Sequence, residues 1–307
     1  MNQHYMRRPC TFKIEMTRGC NLRCRFCPVY EITDLHTARD FMLPTTMNHI
    51  MPGIRDLNPK GRIELTRRGE PTLNPHLEEN VSLMRQHTPQ MQISLFTNGV
   101  EFIREKSPRR IVALLDAGVN IINIDCYDSA KDVGLAKMYD RFKKMLQSLP
   151  NTIEQRDFRE FSAYQRFSGG HKLRVVNLVP DIADPVNPVK VRKIHNAAGN
   201  TNRAIMANEF NIHWPESPLK KNCAKPYREL TVNFDGIVPL CCEDWSTECV
   251  LGDLTKHTAS EVWYSDFHRA ILQSLYAKDR SGVPCNKCTF HGGYRLGLLQ
   301  NPNEARP

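Results

Sequence analysis

No stretch of the chain approaches the roughly 18 to 20 consecutive apolar residues of a membrane-spanning helix, so no membrane partner is expected. The opening residues Met1–Cys10 also lack the apolar run of a secretory leader, and the Arg7-Arg8 pair is followed by Pro9. A cytoplasmic location is the expectation. Internal repeats, low-complexity tracts and charge blocks of the kind found in disordered tails are missing as well. With 40% hydrophobic and 24% charged residues in 307, the composition excludes collagen, coiled coil and wholesale disorder. Lysine and arginine are abundant overall but absent from residues 229 to 253.

What is present in unusual number is cysteine. Eleven cysteines in a chain without an export signal point away from structural disulfides and towards metal or redox chemistry. Cys20, Cys24 and Cys27 form CxxxCxxC just after the strand-like Thr11-Phe12-Lys13-Ile14-Glu15-Met16. Three thiolates this close can hold three irons of a [4Fe-4S] cubane and leave the fourth open to a ligand. Half of a structural zinc site is the competing reading. A second set comprises Cys223, Cys241, Cys285 and Cys288, the last two as CxxC. Four thiolates also suit zinc, which is the sharper competitor here. Cys10, Cys126, Cys242 and Cys249 are left over, and each could be an inert buried thiol.

The CxxxCxxC spacing resembles the defining motif of the radical S-adenosylmethionine (SAM) superfamily, and several neighbours support the resemblance. Phe26, before the last cysteine of the motif, is implied to contact the adenine. Gly69-Glu70-Pro71, after the strand-like Arg62-Ile63-Glu64-Leu65-Thr66, resembles the family's Gly-Gly-Glu-Pro, whose backbone receives the SAM amino group; Arg68 replaces the first glycine. Thr97-Asn98-Gly99 follows another strand, and Asp125 ends the run Ile121-Ile122-Asn123-Ile124, where relatives often place a polar residue against the ribose. A lone turn sequence or strand-end Asp would more often be turn chemistry. The second cysteine set resembles the twitch domain, which carries one auxiliary [4Fe-4S] cluster. Two clusters, SAM, and an external one-electron reductant of the flavodoxin or ferredoxin class are therefore implied.

Strand-like runs at about 11 to 16, 62 to 66, 92 to 96, 120 to 125, 172 to 178 and 203 to 207 alternate with helical runs near 75 to 88, 107 to 117, 129 to 149 and 188 to 198. Alternation of this kind predicts a parallel sheet. With the resemblance it implies an α/β fold: a partial (β/α)6 TIM-like barrel over residues 1–215, with chemistry at the strand ends, and a twitch domain over 216–307. Within the latter, Glu229 to Leu240 reads as a hairpin turning at Asp235-Gly236, and Thr258 to Asp279 as helix.

The formal charge of +9 alone suggests nucleic acid. Its distribution argues otherwise, because Glu243, Asp244 and Glu248 lie in the base-free stretch and are candidates for holding a polycationic small molecule; a solvated acidic hairpin is the alternative. Nineteen residues precede Cys20, which leaves no room for a peptide-recognition domain. This arrangement, with Cys249 as a spare thiol in the acidic loop, resembles the aminoglycoside-modifying radical SAM enzymes. The resemblance implies an epimerase inverting one sugar carbon, C5‴, of an aminoglycoside (neomycin C to neomycin B), with Cys249 returning hydrogen to the substrate radical. A dehydrogenase of an aminocyclitol or aminosugar, with the auxiliary cluster as electron acceptor, is the alternative, followed by a non-catalytic iron-sulfur or zinc protein binding nucleic acid.

Overall fold

The computed structural model describes residues 6–32, 34–127, 138–157, 172–179 and 196–290. Seven strands form one parallel sheet: β1 (Thr11–Ile14), β4 (Arg62–Leu65), β5 (Gln92–Thr97), β6 (Ile121–Asp125), β7 (Glu154–Asp157), β8 (Val175–Val179) and β9 (Glu229–Val232). Their order is β7-β8-β6-β5-β4-β1-β9, which carries the first motif loop at the centre of one half and the last strand at an edge. Two small antiparallel pairs lie outside it, β2 (Thr17–Arg18) with β3 (Asp40–Phe41) and β10 (Ile237–Pro239) with β11 (Val250–Asp253).

Alternation explains the layering. Phe12 and Ile14 face the same way as their neighbours Ile63 and Leu65, and these join one apolar cluster with Met47, Ile50, Met51 and Ile54 of a helix at Pro44–Leu57 and with Leu77, Val81 and Met84 of a helix at Leu77–His87. The opposite face of the same strands is polar. Lys13 of β1 pairs with Glu64 of β4 at 3.1 Å and Glu229 of β9 at 3.7 Å, and further along the sheet Asn177 of β8 donates to Asn123 of β6 at 2.8 Å. Charge on that side is thus satisfied within the sheet.

Three elements differ from expectation. Residues 203–207 lie in a helix, Arg203–Phe210, because Asn202 caps it by accepting from Ile205 N at 3.0 Å. Glu229–Val232 does turn back at Asp235-Gly236, but it pairs in parallel with β1, while Ile237–Pro239 pairs with Val250–Asp253. The helix expected over 258–279 is two helices, Ala259–Trp263 and Asp266–Tyr276, the second restarted by a Ser265 cap. The helix near 188 to 198 falls mainly outside the described residues. No described helix is long and apolar enough to cross a membrane.

Candidate active site

Strand β1 delivers the chain into the Cys20–Cys27 loop, and the approach is fixed by backbone contact. Gly19 bridges Gly69, and Glu70 N donates to Gly19 O at 2.9 Å. A Cβ on Gly69 would stand 2.3 Å from the carbonyl oxygens of both Gly19 and Thr17, so glycine is required there. Inside the loop, Cys27 N donates to Cys24 O at 2.9 Å and Leu22 N to Cys20 Sγ at 3.4 Å. Burial pushes the Cys27 thiol up to about 11 and, with Glu70 nearby, Cys20 higher still. Thiols held protonated in this way ionise by binding a metal.

Glu70 is buried, and its carboxylate takes four donors. One carboxylate oxygen takes Thr72 N at 3.0 Å and the Thr72 and Thr97 hydroxyls at 2.6 Å; the other takes Asn98 N at 2.8 Å. The side chain therefore braces the loop after β4 against the loop after β5. Asn98 continues the brace, donating to Asn21 at 2.8 Å and to Cys20 Sγ at 3.7 Å. Cys20, Cys24, Cys27, Phe26, Gly69, Glu70, Asn98 and Asp125 line one cavity of about 260 Å³, together with Arg67, Tyr127 and Trp245. All the residues expected to hold the first cluster and SAM are thus brought together. Tyr127 and Phe26 pack with tilted rings, 5.2 Å between centres.

Cys223, Cys241, Cys285 and Cys288 line a second cleft, along with Lys225, Glu243, Arg280 and Phe290. Arg280 holds the rim: its nitrogens donate to the carbonyls of Lys221, Asn222 and Phe290 at 2.7–2.8 Å. Asn196 accepts from Thr289 N at 2.9 Å and donates to Lys287 O at 2.7 Å, which fastens the CxxC segment. Burial raises Cys285 and Cys288 to about 12. Among the described residues no three His, Cys, Asp or Glu groups converge on a single-ion position, whereas a cubane spreads its sulfur ligands more widely than one ion. Soft thiol donors beside Arg280 and the Lys225–Glu243 pair, a surround with one net positive charge, fit a negatively charged iron-sulfur cluster.

The acidic residues expected to grip substrate are engaged inside the fold. Glu243 pairs with Lys225 at 2.8 Å, Glu248 with Lys287 at 2.5 Å, and Asp244 accepts from the backbone of Glu248 and Cys249 at 2.8 and 3.0 Å. The cations of Glu243 and Glu248, Lys225 and Lys287, lie on either side of the base-free stretch, which is why that stretch looked open. Cys249 is not part of the described lining of the 260 Å³ cavity. It stands close enough to Cys285 to raise that thiol. Cys126 is fully buried at the end of β6, and Cys242 accepts from Lys225 at 3.0 Å. Arg67, Tyr127, Lys225 and Arg280 are additions that spacing did not single out; each is an isolated residue whose place depends on the folded contacts.

Residues 14–150 match the family description Radical SAM superfamily, and residues 223–289 match the SPASM iron-sulfur cluster-binding domain. The chain is 24% identical over 277 residues to an S-adenosyl-L-methionine-dependent 2-deoxy-scyllo-inosamine dehydrogenase of Niallia circulans, covering 90% of this chain and 91% of that one. It is 30% identical over 148 residues to a GTP 3′,8-cyclase of Mycobacterium marinum, spanning 37% of that relative. Among solved structures, BtrN in complex with AdoMet and 2-DOIA superposes with a TM-score of 0.66 at 20% identity over 96% of this chain and 97% of that one. Native anSMEcpe with bound AdoMet gives 0.50 at 13% identity, over 85% and 82%. The end-to-end likeness to a dehydrogenase overturns the expected epimerase, neomycin C to neomycin B.

Proposed function

We propose that this chain, a radical SAM enzyme with a C-terminal auxiliary-cluster domain of the twitch type, is an oxidoreductase that converts a secondary alcohol of an aminocyclitol or aminosugar to a ketone. The observation that carries the reading is the likeness to 2-deoxy-scyllo-inosamine dehydrogenase over nine-tenths of both chains. When bound, SAM and the first cluster would supply a 5′-deoxyadenosyl radical, and the second cluster a one-electron acceptor.

Cys20, Cys24 and Cys27 would hold the first cluster. SAM would meet the backbone of Gly69 and Glu70, which the Glu70 carboxylate holds in place by bracing the two loops. Phe26 would lie against the adenine, Asp125 against the ribose, and Asn98 would keep Cys20 in place. Cys223, Cys241, Cys285 and Cys288 would hold the second cluster. Arg280 puts a positive charge beside those thiols, and the Lys225–Glu243 pair lies in the same lining; the net positive charge favours electron uptake there. The cavity's described lining contains no cysteine besides Cys20, Cys24 and Cys27, which supports oxidation over hydrogen return.

Anaerobically prepared protein given SAM, a one-electron reductant and 2-deoxy-scyllo-inosamine or related aminocyclitols should form a product lighter by two hydrogens, with one 5′-deoxyadenosine per product. A product of unchanged mass carrying solvent deuterium would overturn the reading, as would SAM cleavage that no aminocyclitol or aminosugar stimulates.

A further inference from the structure

Among the described lining residues of the 260 Å³ cavity, Trp245 alone comes from 223–289, the stretch matched to the auxiliary-cluster domain. Two guanidinium groups that follow β4 hold the loop that carries it. Arg67 Nη2 donates to Asp244 O, and Arg68 Nη1 donates to Trp245 O at 3.3 Å and to Thr247 Oγ1 at 3.1 Å. Trp245 N donates to Glu243 O at 2.9 Å. Both backbone polar groups of Trp245 are thus engaged, and Arg68, standing where the family motif has glycine, supplies one of the contacts.

The side chain is not used by the fold in the same way. Trp245 is half-buried and joins neither apolar cluster of the described residues, whereas Phe26 and Tyr127, which share the cavity wall, pack onto the larger one. Its indole Nε1 has no hydrogen-bond partner among the described residues and is not sealed from solvent. A tryptophan offers a large flat apolar face with a single donor on its rim. That combination suits a ligand that is itself apolar on its faces and polar around its edge.

We infer that Trp245 is a specificity-determining residue of the substrate site, its indole packing against the C–H face of a six-membered ring with equatorial hydroxyl and amino groups and its Nε1 donating to one of those hydroxyls. The inference rests on the dehydrogenase proposal for its ligand class, aminocyclitols and aminosugars. When every substituent is equatorial, both ring faces carry only axial C–H bonds, so stacking removes apolar surface from water and leaves the hydroxyls free to hydrogen-bond. An axial hydroxyl pressed onto the indole would lose its water and gain no partner. Selection by ring stereochemistry follows from that difference. A ring held by one face also keeps the axial hydrogens of its other face free for abstraction.

Holoenzyme carrying both clusters and SAM but no reductant lets binding be read without turnover. 2-Deoxy-scyllo-inosamine, scyllo-inositol (all hydroxyls equatorial) and chiro-inositol (one axial hydroxyl on each face) are titrated calorimetrically into wild type, Trp245→Phe and Trp245→Ala. Wild type should bind the first two about tenfold or more tightly than chiro-inositol. Trp245→Ala should weaken the first two by about 10- to 100-fold and bring them level with chiro-inositol. Trp245→Phe keeps a flat ring without the donor, so it should lose only about 2- to 10-fold and retain the preference. A merely structural role would lower all three affinities alike, and that result would overturn the inference. So would equal affinity of 2-deoxy-scyllo-inosamine for wild type and Trp245→Ala, or a wild type that does not distinguish scyllo- from chiro-inositol. Should Trp245→Ala fail to load its clusters, Trp245→Leu, apolar but without a flat face, decides by the same criteria. Binding without oxidation once a reductant is added would refute the dehydrogenase reading and leave Trp245 scored by these affinities.

Discussion

Arg68 stands where the family motif has glycine, and the fold accounts for the exchange. Its guanidinium forks onto Glu15 with two contacts of 2.7 Å and reaches Trp245 O and Thr247 Oγ1 at 3.3 and 3.1 Å, with both partners of the ion pair nearly dry. Glu15→Gln or Arg68→Ala should destabilise the folded protein by about 3–5 kcal/mol, because one charge is left buried and uncompensated. The double variant Glu15→Leu/Arg68→Met should cost less than either single change, read by denaturant unfolding. His268 gives a pH-dependent counterpart. Burial pushes it down to about 4 against the pull of the Trp263 and Pro226 carbonyls, so the folded state holds the neutral ring while the unfolded chain protonates near 6.5. Its contribution is present above about pH 6.5 and lost as pH falls towards 4. Wild-type melting temperature should fall more steeply across that window than that of His268→Gln. The sequence revealed the cysteines, Phe26, Glu70 and Asn98 because their chemistry is local and their spacing fixed. It hid the pairing of Glu243, Glu248 and Glu229, whose cations lie at Lys225, Lys287 and Lys13.

At the level of elements, alternation exposed five of the seven sheet strands, since apolar and polar positions interchange along each. Glu154–Asp157 lacked any such signal: it is an edge strand of four polar residues made by pairing with Val175–Val179. Residues 203–207 misled because a short apolar run reads equally as strand or helix, and the Asn202 cap is the feature that decides it. Glu229–Val232 has the composition of a strand but nothing local to say that β1 would be its partner. The strand-end contact between Gly19 and Gly69 is the element most exposed to a single methyl group. Gly69→Ala should force the β4 loop off the cysteine loop, weakening SAM binding at least tenfold and suppressing 5′-deoxyadenosine formation, while the auxiliary-cluster spectrum is retained. Normal SAM affinity in that variant would show that the loop yields without consequence.

For the molecule as a whole, the two cysteine sets line separate cavities, so their loading should be separable. Anaerobic protein should carry about eight irons per chain, and about four when Cys223, Cys241, Cys285 and Cys288 are all changed to Ser. Zinc persisting in the unaltered protein would refute the auxiliary-cluster assignment. The Arg67-Arg68 pair has a further bearing on how such enzymes can be rebuilt. Both side chains follow the end of β4 and fasten on residues 244 to 247, in the loop between Ile237–Pro239 and Val250–Asp253. The C-terminal portion is therefore not an interchangeable cassette. A chimera grafting residues 216–307 from a relative onto this barrel would leave Arg68 with Glu15 alone and Arg67 without its contact at Asp244 O, unless positions 67 and 68 travelled with the graft.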